Sequence, residues 1–131
     1  MKDKALFDRF DREGRLRIPG AETAFEDLPW TKHPSFEGVE LKAVVSGKET
    51  GGKFSYHLVR IAPNRMIGEH VHQTQLETHE VIAGSGLCVN GGEELVYEPG
   101  VITILPMNVP HAVTAGDGGL YLFAKFIPAL N

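Results

Sequence analysis

The chain is 131 residues long, and its 42% hydrophobic and 23% charged residues are typical of one globular domain and exclude a disordered or fibrous protein. Its net charge of -4 gives no basic face for nucleic acid, and no apolar run approaches the roughly 18 residues of a membrane helix. The first residues lack the apolar region of a secretory signal, and the single cysteine, Cys88, cannot form an internal disulfide. We therefore expect a cytoplasmic protein that binds neither nucleic acid nor membrane.

Residues 1–37 form an N-terminal segment whose composition differs from the rest. Its first 17 residues hold six basic and four acidic side chains, whereas the remainder of the chain is acidic. Leu6, Phe7 and Phe10 share one helical face. This pattern predicts either a short helix or frayed tail, or an arm that packs on the acidic body of a partner subunit. From Ile18 to Phe36 we expect an extended loop.

Residues 38–131 consist of short strand patterns separated by turns. Asn90-Gly91 is a strong hairpin signal before the strand Glu93–Tyr97, and Gly47 to Lys53 predicts a turn. About nine strands follow one another at close spacing, with no second helix. Separate strands are predicted over Glu77–Ala83, Gly86–Val89, Pro110–Thr114 and Leu120–Ile127. The fold class is therefore all-β, a sandwich or a barrel.

Three histidines and a glutamate lie close together between the two halves of this region. In a strand, side chains at i and i+2 face the same side about 6.5 Å apart, so His70 and His72 present two imidazoles together. Glu77 begins the next strand, and His79 shares its face. A His-x-His pair alone is also common on ordinary protein surfaces, so the pair needs further support.

That support comes from two segments that resemble the paired motifs of the cupin superfamily. The first motif, Gly-x5-His-x-His-x3,4-Glu-x6-Gly, is matched by His70, His72, Glu77 and Gly84, although Asn64 stands in place of its first glycine. The second motif, Gly-x5-Pro-x-Gly-x2-His-x3-Asn, is matched by three residues and departs at two. The matches are Gly100, Pro106 and His111, and the departures are Asn108 and Ala115.

The resemblance implies a small single-domain cupin of the bacterial "cupin 2" type. Its fold would be a double-stranded β-helix, or jelly-roll barrel, over residues 38–131, with residues 1–37 as an N-terminal arm and loop. It also implies one divalent transition metal held by His70, His72, Glu77 and His111. Imidazoles and a carboxylate suit Fe, Mn, Ni, Cu or Zn, and an octahedral ion would keep two positions for water, dioxygen or substrate. Small cupins of this type also lead us to expect a homodimer.

The roles of three further residues stay open at this point. His79 is a candidate catalytic residue for proton transfer, a donor that orients Glu77, or a buried core histidine. His57 is expected to be a core or rim residue. Arg60 either faces outward in an ion pair or points inward as a clamp for an anionic ligand.

The superfamily resemblance implies a site but no substrate. The first hypothesis is a metalloenzyme, of dioxygenase or isomerase type, that acts on a small oxygen-rich organic molecule. The alternative is a non-catalytic, metal-dependent module that binds or senses a small molecule. In a third hypothesis the metal only stabilises the barrel.

Overall fold

The computed structural model describes residues 2–131, so that residue 1 of the predicted arm lies outside it. The described chain begins with a helix and continues as a succession of antiparallel strands. The elements are α1 (Lys2–Glu13), β1 (Arg15–Ile18), β2 (Ala21–Ala24), a 3-10 turn (Phe25–Asp27), β3 (Thr31–Lys32), β4 (Val39–Val45), α2 (Gly47–Thr50), β5 (Ser55–Ile61), β6 (Met66–His70), β7 (Leu76–Asn90), β8 (Glu93–Tyr97), β9 (Ile102–Leu105) and β10 (His111–Ile127). The all-β prediction is confirmed. No helix among these elements is long and apolar enough to cross a bilayer.

One large antiparallel sheet curls into the barrel. Its strand order is β3-β4-β5-β10-β7-β8, with β6 paired to β10 and β9 paired to β7. The central strands β7 and β10 have 15 and 17 residues, and both run through the two halves of the barrel. The four short strands predicted in these regions are thus two long ones.

The bend in the two long strands depends on a glycine. Gly84 has a φ of +79°, and a Cβ there would lie 2.1 Å from the carbonyl oxygen of Gly119. The pairing of β10 with β7 shifts register between Ala115 and Leu120, beside this contact. Only a residue without a side chain allows the two backbones to approach so closely while the strands turn.

The barrel interior is filled by alternate residues of the strands, as period-two burial requires. Along β5, Ser55, His57, Val59 and Ile61 are all at most 2% exposed and face inward. Cys88 is also fully buried, as expected for a small apolar side chain. The inner cluster contains Val39, Val59, Ile61, Ile67, Val81, Cys88, Tyr97, Leu105, Val113, Ala115, Leu120, Leu122, Ala124 and Phe126.

A second apolar cluster joins helix α1 to the outside of the barrel. Phe7 is 1% exposed, and its ring lies 5.1 Å from that of Tyr121, while the ring of Phe10 lies 4.9 Å from that of Phe123. Lys42 is buried beneath the helix, where it forms an ion pair with Asp11. The predicted helix is therefore present and packs on its own barrel.

Two local predictions of irregular structure were wrong. Within the expected loop from Ile18 to Phe36, the chain completes the β1–β2 hairpin and then forms β3. These strands are short and exposed, so they lack the alternation of buried and exposed residues that reveals a strand in a sequence. An ion pair of 2.7 Å between Arg17 and Glu22 joins β1 to β2. The predicted turn after β4 contains the one-turn helix α2, because Ser46 and Glu49 form a capping box.

Candidate metal centre

The four candidate ligands converge at one end of the barrel, although they come from three separate segments. His70 ends β6 and pairs directly with His111, the first residue of β10. His72 lies in the loop just beyond β6, and Glu77 is the second residue of β7. One ligand atom from each residue lies within 4.8 Å of all the others. The structure thus brings together all four residues that the motifs indicated.

Backbone carbonyls orient two of the imidazoles. The Nδ1 of His70 lies 2.7 Å from the carbonyl oxygen of Gly68, and the Nδ1 of His111 lies 3.3 Å from that of Val109. In a neutral ring each Nδ1–H then donates, which leaves the Nε2 lone pair free for a metal. Burial lowers the pKa of His70, although its bond to Gly68 opposes this, and the ring is neutral near pH 7 as a ligand must be.

Glu77 is the charged centre of the cluster. Its Oε1 lies 3.2 Å from the Nε2 of His72 and 3.3 Å from the Nε2 of His111. Burial alone would raise the pKa of this carboxyl, but the surrounding imidazoles, first that of His79, hold it well below its usual range. The cluster therefore holds a buried carboxylate at neutral pH.

Two buried atoms of the cluster, the Oε1 of Glu77 and the Nε2 of His111, lie 3.3 Å apart but make no hydrogen bond to each other or to any other described residue. Buried polar atoms without partners are rare because each loses its hydration without a replacement, at a cost of about 1–3 kcal/mol. A cation between these atoms would satisfy both. The residues present therefore fit a metal ion.

His79 contacts Glu77 from the side away from the other imidazoles. Its Nε2 lies 2.8 Å from the Oε2 of Glu77, and its Nδ1 lies 2.9 Å from the hydroxyl of Tyr97. Both His79 and Tyr97 are buried, at 2% and 0% exposure. The prediction that His79 shares the face of Glu77 is confirmed, and both of its ring nitrogens already have partners.

A cavity of about 270 Å³ opens onto the four ligands. His33 and Phe36, from the loop between β3 and β4, also line it. The ring centroid of Phe36 lies 4.8 Å from that of His33 and 6.2 Å from that of His70. Sequence reasoning missed both residues because they lie far from the motifs, in a segment without periodic pattern.

The other two residues whose roles the sequence left open lie outside the cluster. His57 is buried in the barrel, with its Nε2 2.9 Å from the Oγ of Ser55, so it is the expected core residue. The Nε of Arg60 donates to the Oε1 of Glu40 at 2.9 Å on the outer face. Arg60 is therefore not an inward clamp.

The family is shown by a model of the cupin domain, Cupin_2, which matches residues 57–123. That span covers half of the chain and includes all four candidate ligands. The chain therefore belongs to the cupin family, and its barrel is the jelly-roll that the motifs implied.

Solved structures share this fold at low sequence identity. KdgF from a Halomonas species is 17% identical, with a TM-score of 0.70, and the match covers 79% of this chain and 88% of that one. The polyketide cyclase RemF from Streptomyces resistomycificus is 20% identical over 79% and 75% of the two chains, with a TM-score of 0.67. Ectoine synthase from P. lautus is 22% identical over 72% and 67%, with a TM-score of 0.65. No curated protein matches the chain significantly.

Proposed function

We propose that this cupin binds one divalent transition metal through His70, His72, Glu77 and His111, and that it is an enzyme acting on a small organic molecule in the adjoining cavity. The observation that carries the proposal is the pair of buried, unpartnered ligand atoms on Glu77 and His111 within the four-residue cluster. Three imidazoles and one carboxylate favour Fe, Mn, Ni, Cu or Zn.

A metal bound there would act as a Lewis acid or, if it is iron, would bind dioxygen. The chain's own residues then supply position and access. His70 and His111 are oriented by backbone carbonyls, and the cavity admits a small molecule beside them. We favour dioxygenase or isomerase chemistry, because the four protein ligands would leave two positions of an octahedral ion open.

Of the roles open to His79, its contacts favour that of a positioning residue. Its bond to the Oε2 of Glu77 holds the carboxylate with Oε1 toward the other imidazoles, and Tyr97 holds His79 in turn. Proton transfer by His79 would require one of these two bonds to break. Neighbours that orient metal ligands typically change metal affinity 10- to 100-fold when they are replaced, about the size of effect we expect here.

The alternative function is a metal-dependent binding module with no catalysis. The same ligands and cavity would serve it, so the two functions differ only in turnover. A metal that merely stabilises the barrel agrees less well with the structure, because a cavity of about 270 Å³ beside the ligands has no purpose in that case. Structures of the same fold include a polyketide cyclase and an ectoine synthase, which supports catalysis in a barrel of this kind.

Metal content tests the proposal. Protein purified without chelators should contain about one transition metal ion per chain, and His72→Ala should lose most of it, because three ligands hold the ion less well than four. His33→Ala is the matched control, since His33 lines the same cavity but lies outside the cluster. Unchanged metal content in folded His72→Ala, judged by circular dichroism, would refute the assignment. Oxygen uptake and product analysis with diols, diketones and keto acids would separate an enzyme from a binding module.

Cellular location and assembly complete the proposal. The single buried cysteine agrees with a cytoplasmic protein, where disulfides are rare. We propose a homodimer because β8 and β9, beside β7, expose large apolar side chains: Val96 is 63%, Ile102 69% and Ile104 61% exposed. Apolar edge strands of this kind favour pairing with another subunit.

A further inference from the structure

Beyond the four candidate ligands, the wall of the cavity is apolar. It is formed by inward-facing residues of several strands, among them Leu41, Val59, Ile67, Val113, Ala124 and Phe126. No lysine or arginine among residues 2–131 lines it. At the mouth, burial lowers the pKa of His33, so this imidazole is neutral near pH 7. Apart from a bound metal, the cavity therefore offers no positive charge to a ligand.

Three cations that follow wall residues in the sequence are held on the outside of the barrel. Lys42 and Arg60 both lie over the ring of Trp30, at 5.4 and 3.9 Å from its centroid. Lys125 lies over the ring of Tyr56 at 4.8 Å. Each of these cations immediately follows a wall residue, and strand alternation sends it to the opposite face. They cannot turn inward without a shift of strand register.

The charge of the site limits the charge of a ligand. A divalent ion together with the Glu77 carboxylate leaves one net positive charge in the cavity. A ligand with one negative charge would neutralise it, whereas a dianion would leave an excess charge against an apolar wall. Burying an unpaired charge costs several kcal/mol even after relaxation.

Size and shape set a second limit. The cavity of about 270 Å³ lies near the lower end of the range for small-molecule pockets, about 300–1,000 Å³, so it admits only a small ligand. Phe36 lies across the mouth because residue 68 is glycine: a Cβ on Gly68 would lie 2.8 Å from the Cε1 of that ring. The ring adds an aromatic surface to the apolar wall.

We infer that the ligand is a small chelator with two oxygen donors, at most one negative charge and a compact apolar body, such as a short 1,3-diketone that releases its proton to solvent and binds as its enolate. Dicarboxylates are excluded by their second negative charge, and sugar acids by hydroxyl groups that the apolar wall cannot hydrogen-bond. This inference rests on the proposed metal site, and it narrows the expected oxygen-rich substrate to one whose oxygens are confined to the chelating end.

Acetylacetone and malonate form a matched pair of probes. They have the same number of non-hydrogen atoms and the same spacing of oxygen donors, but malonate replaces two methyl groups with charged oxygens. Protein loaded with Ni²⁺ and checked for metal content would be titrated with each probe by calorimetry. Each affinity would be divided by the affinity of that probe for Ni²⁺ in buffer. We expect the corrected preference for acetylacetone to be at least about tenfold.

A variant with a cation in the wall provides the decisive comparison. Leu41 is a wall residue that is only partly buried, so Leu41→Lys is tolerable, and Leu41→Gln controls for polarity alone. Leu41→Lys should shift the preference toward malonate by about tenfold, while Leu41→Gln should not. If Ni²⁺ is bound but malonate binds the wild type as well as acetylacetone does, this inference is wrong and the metal site stands. If the wild type binds no metal, both proposals fail.

Discussion

His57 should make the barrel sensitive to acid, and replacing it should remove part of that sensitivity. The imidazole is 2% exposed, packs edge-on against Phe126 with ring centroids 5.5 Å apart, and lies 2.9 Å from the Oγ of Ser55. Burial lowers the pKa of His57 to about 4, although the carboxylate of Glu77 opposes the shift. The replacement His57→Gln keeps a polar side chain that stays neutral at every pH.

The size of the effect follows from the difference in pKa between the two states. The unfolded chain binds a proton at His57 near pH 6.5, whereas the folded chain does so only near pH 4. The part of the stability that depends on a neutral His57 is therefore fully present above pH 6.5 and is lost as the pH falls toward 4. Relative to neutral pH, the loss due to His57 is about 2 kcal/mol at pH 5 and about 3 kcal/mol at pH 4.

Urea unfolding of both proteins at several pH values, with chelator present throughout, would measure this loss. Between neutral pH and pH 5, the free energy of unfolding should fall by about 2 kcal/mol more in the wild type than in His57→Gln. A difference in stability that is the same at every pH does not affect this comparison. His33→Gln serves as control, because His33 is only half-buried and should give a smaller pH-dependent difference. The reasoning is refuted if the difference in unfolding free energy between wild type and His57→Gln changes by less than about 0.5 kcal/mol from pH 7 to pH 5.

Two other outcomes are expected. Chelator at neutral pH should lower the melting temperature of the metal-bound protein, because an ion that binds only the folded state stabilises it; coincident melting curves would mean that the metal contributes nothing to the barrel. Light scattering should give about twice the chain mass of 14.4 kDa, and a monomer mass at micromolar concentration would refute the homodimer.

The barrel and its ligand cluster were predictable because both depend on local spacing. Alternation placed His70 and His72 together, and the paired motifs added Glu77 and His111. Even so, His72 lies beyond the end of β6 rather than within the strand. Its side chain reaches the cluster all the same, since the ligand atoms lie within 4.8 Å of one another. A spacing rule therefore located the candidate cluster, while the exact strand boundary had little influence on it.

The partners of each inward residue depend on strand pairing, which local spacing does not determine. His57 and His79 both face the interior, yet His79 bonds Glu77 whereas His57 bonds Ser55 and stays outside the cluster. The pairing of β10 with both β5 and β7 sets this difference, because it places Ala124 between the two histidines. The same pairing keeps Lys125 on the outside of the barrel and the apolar wall on the inside. The ligand character that we propose therefore follows from register, which explains why the motifs pointed to a candidate metal site but to no substrate.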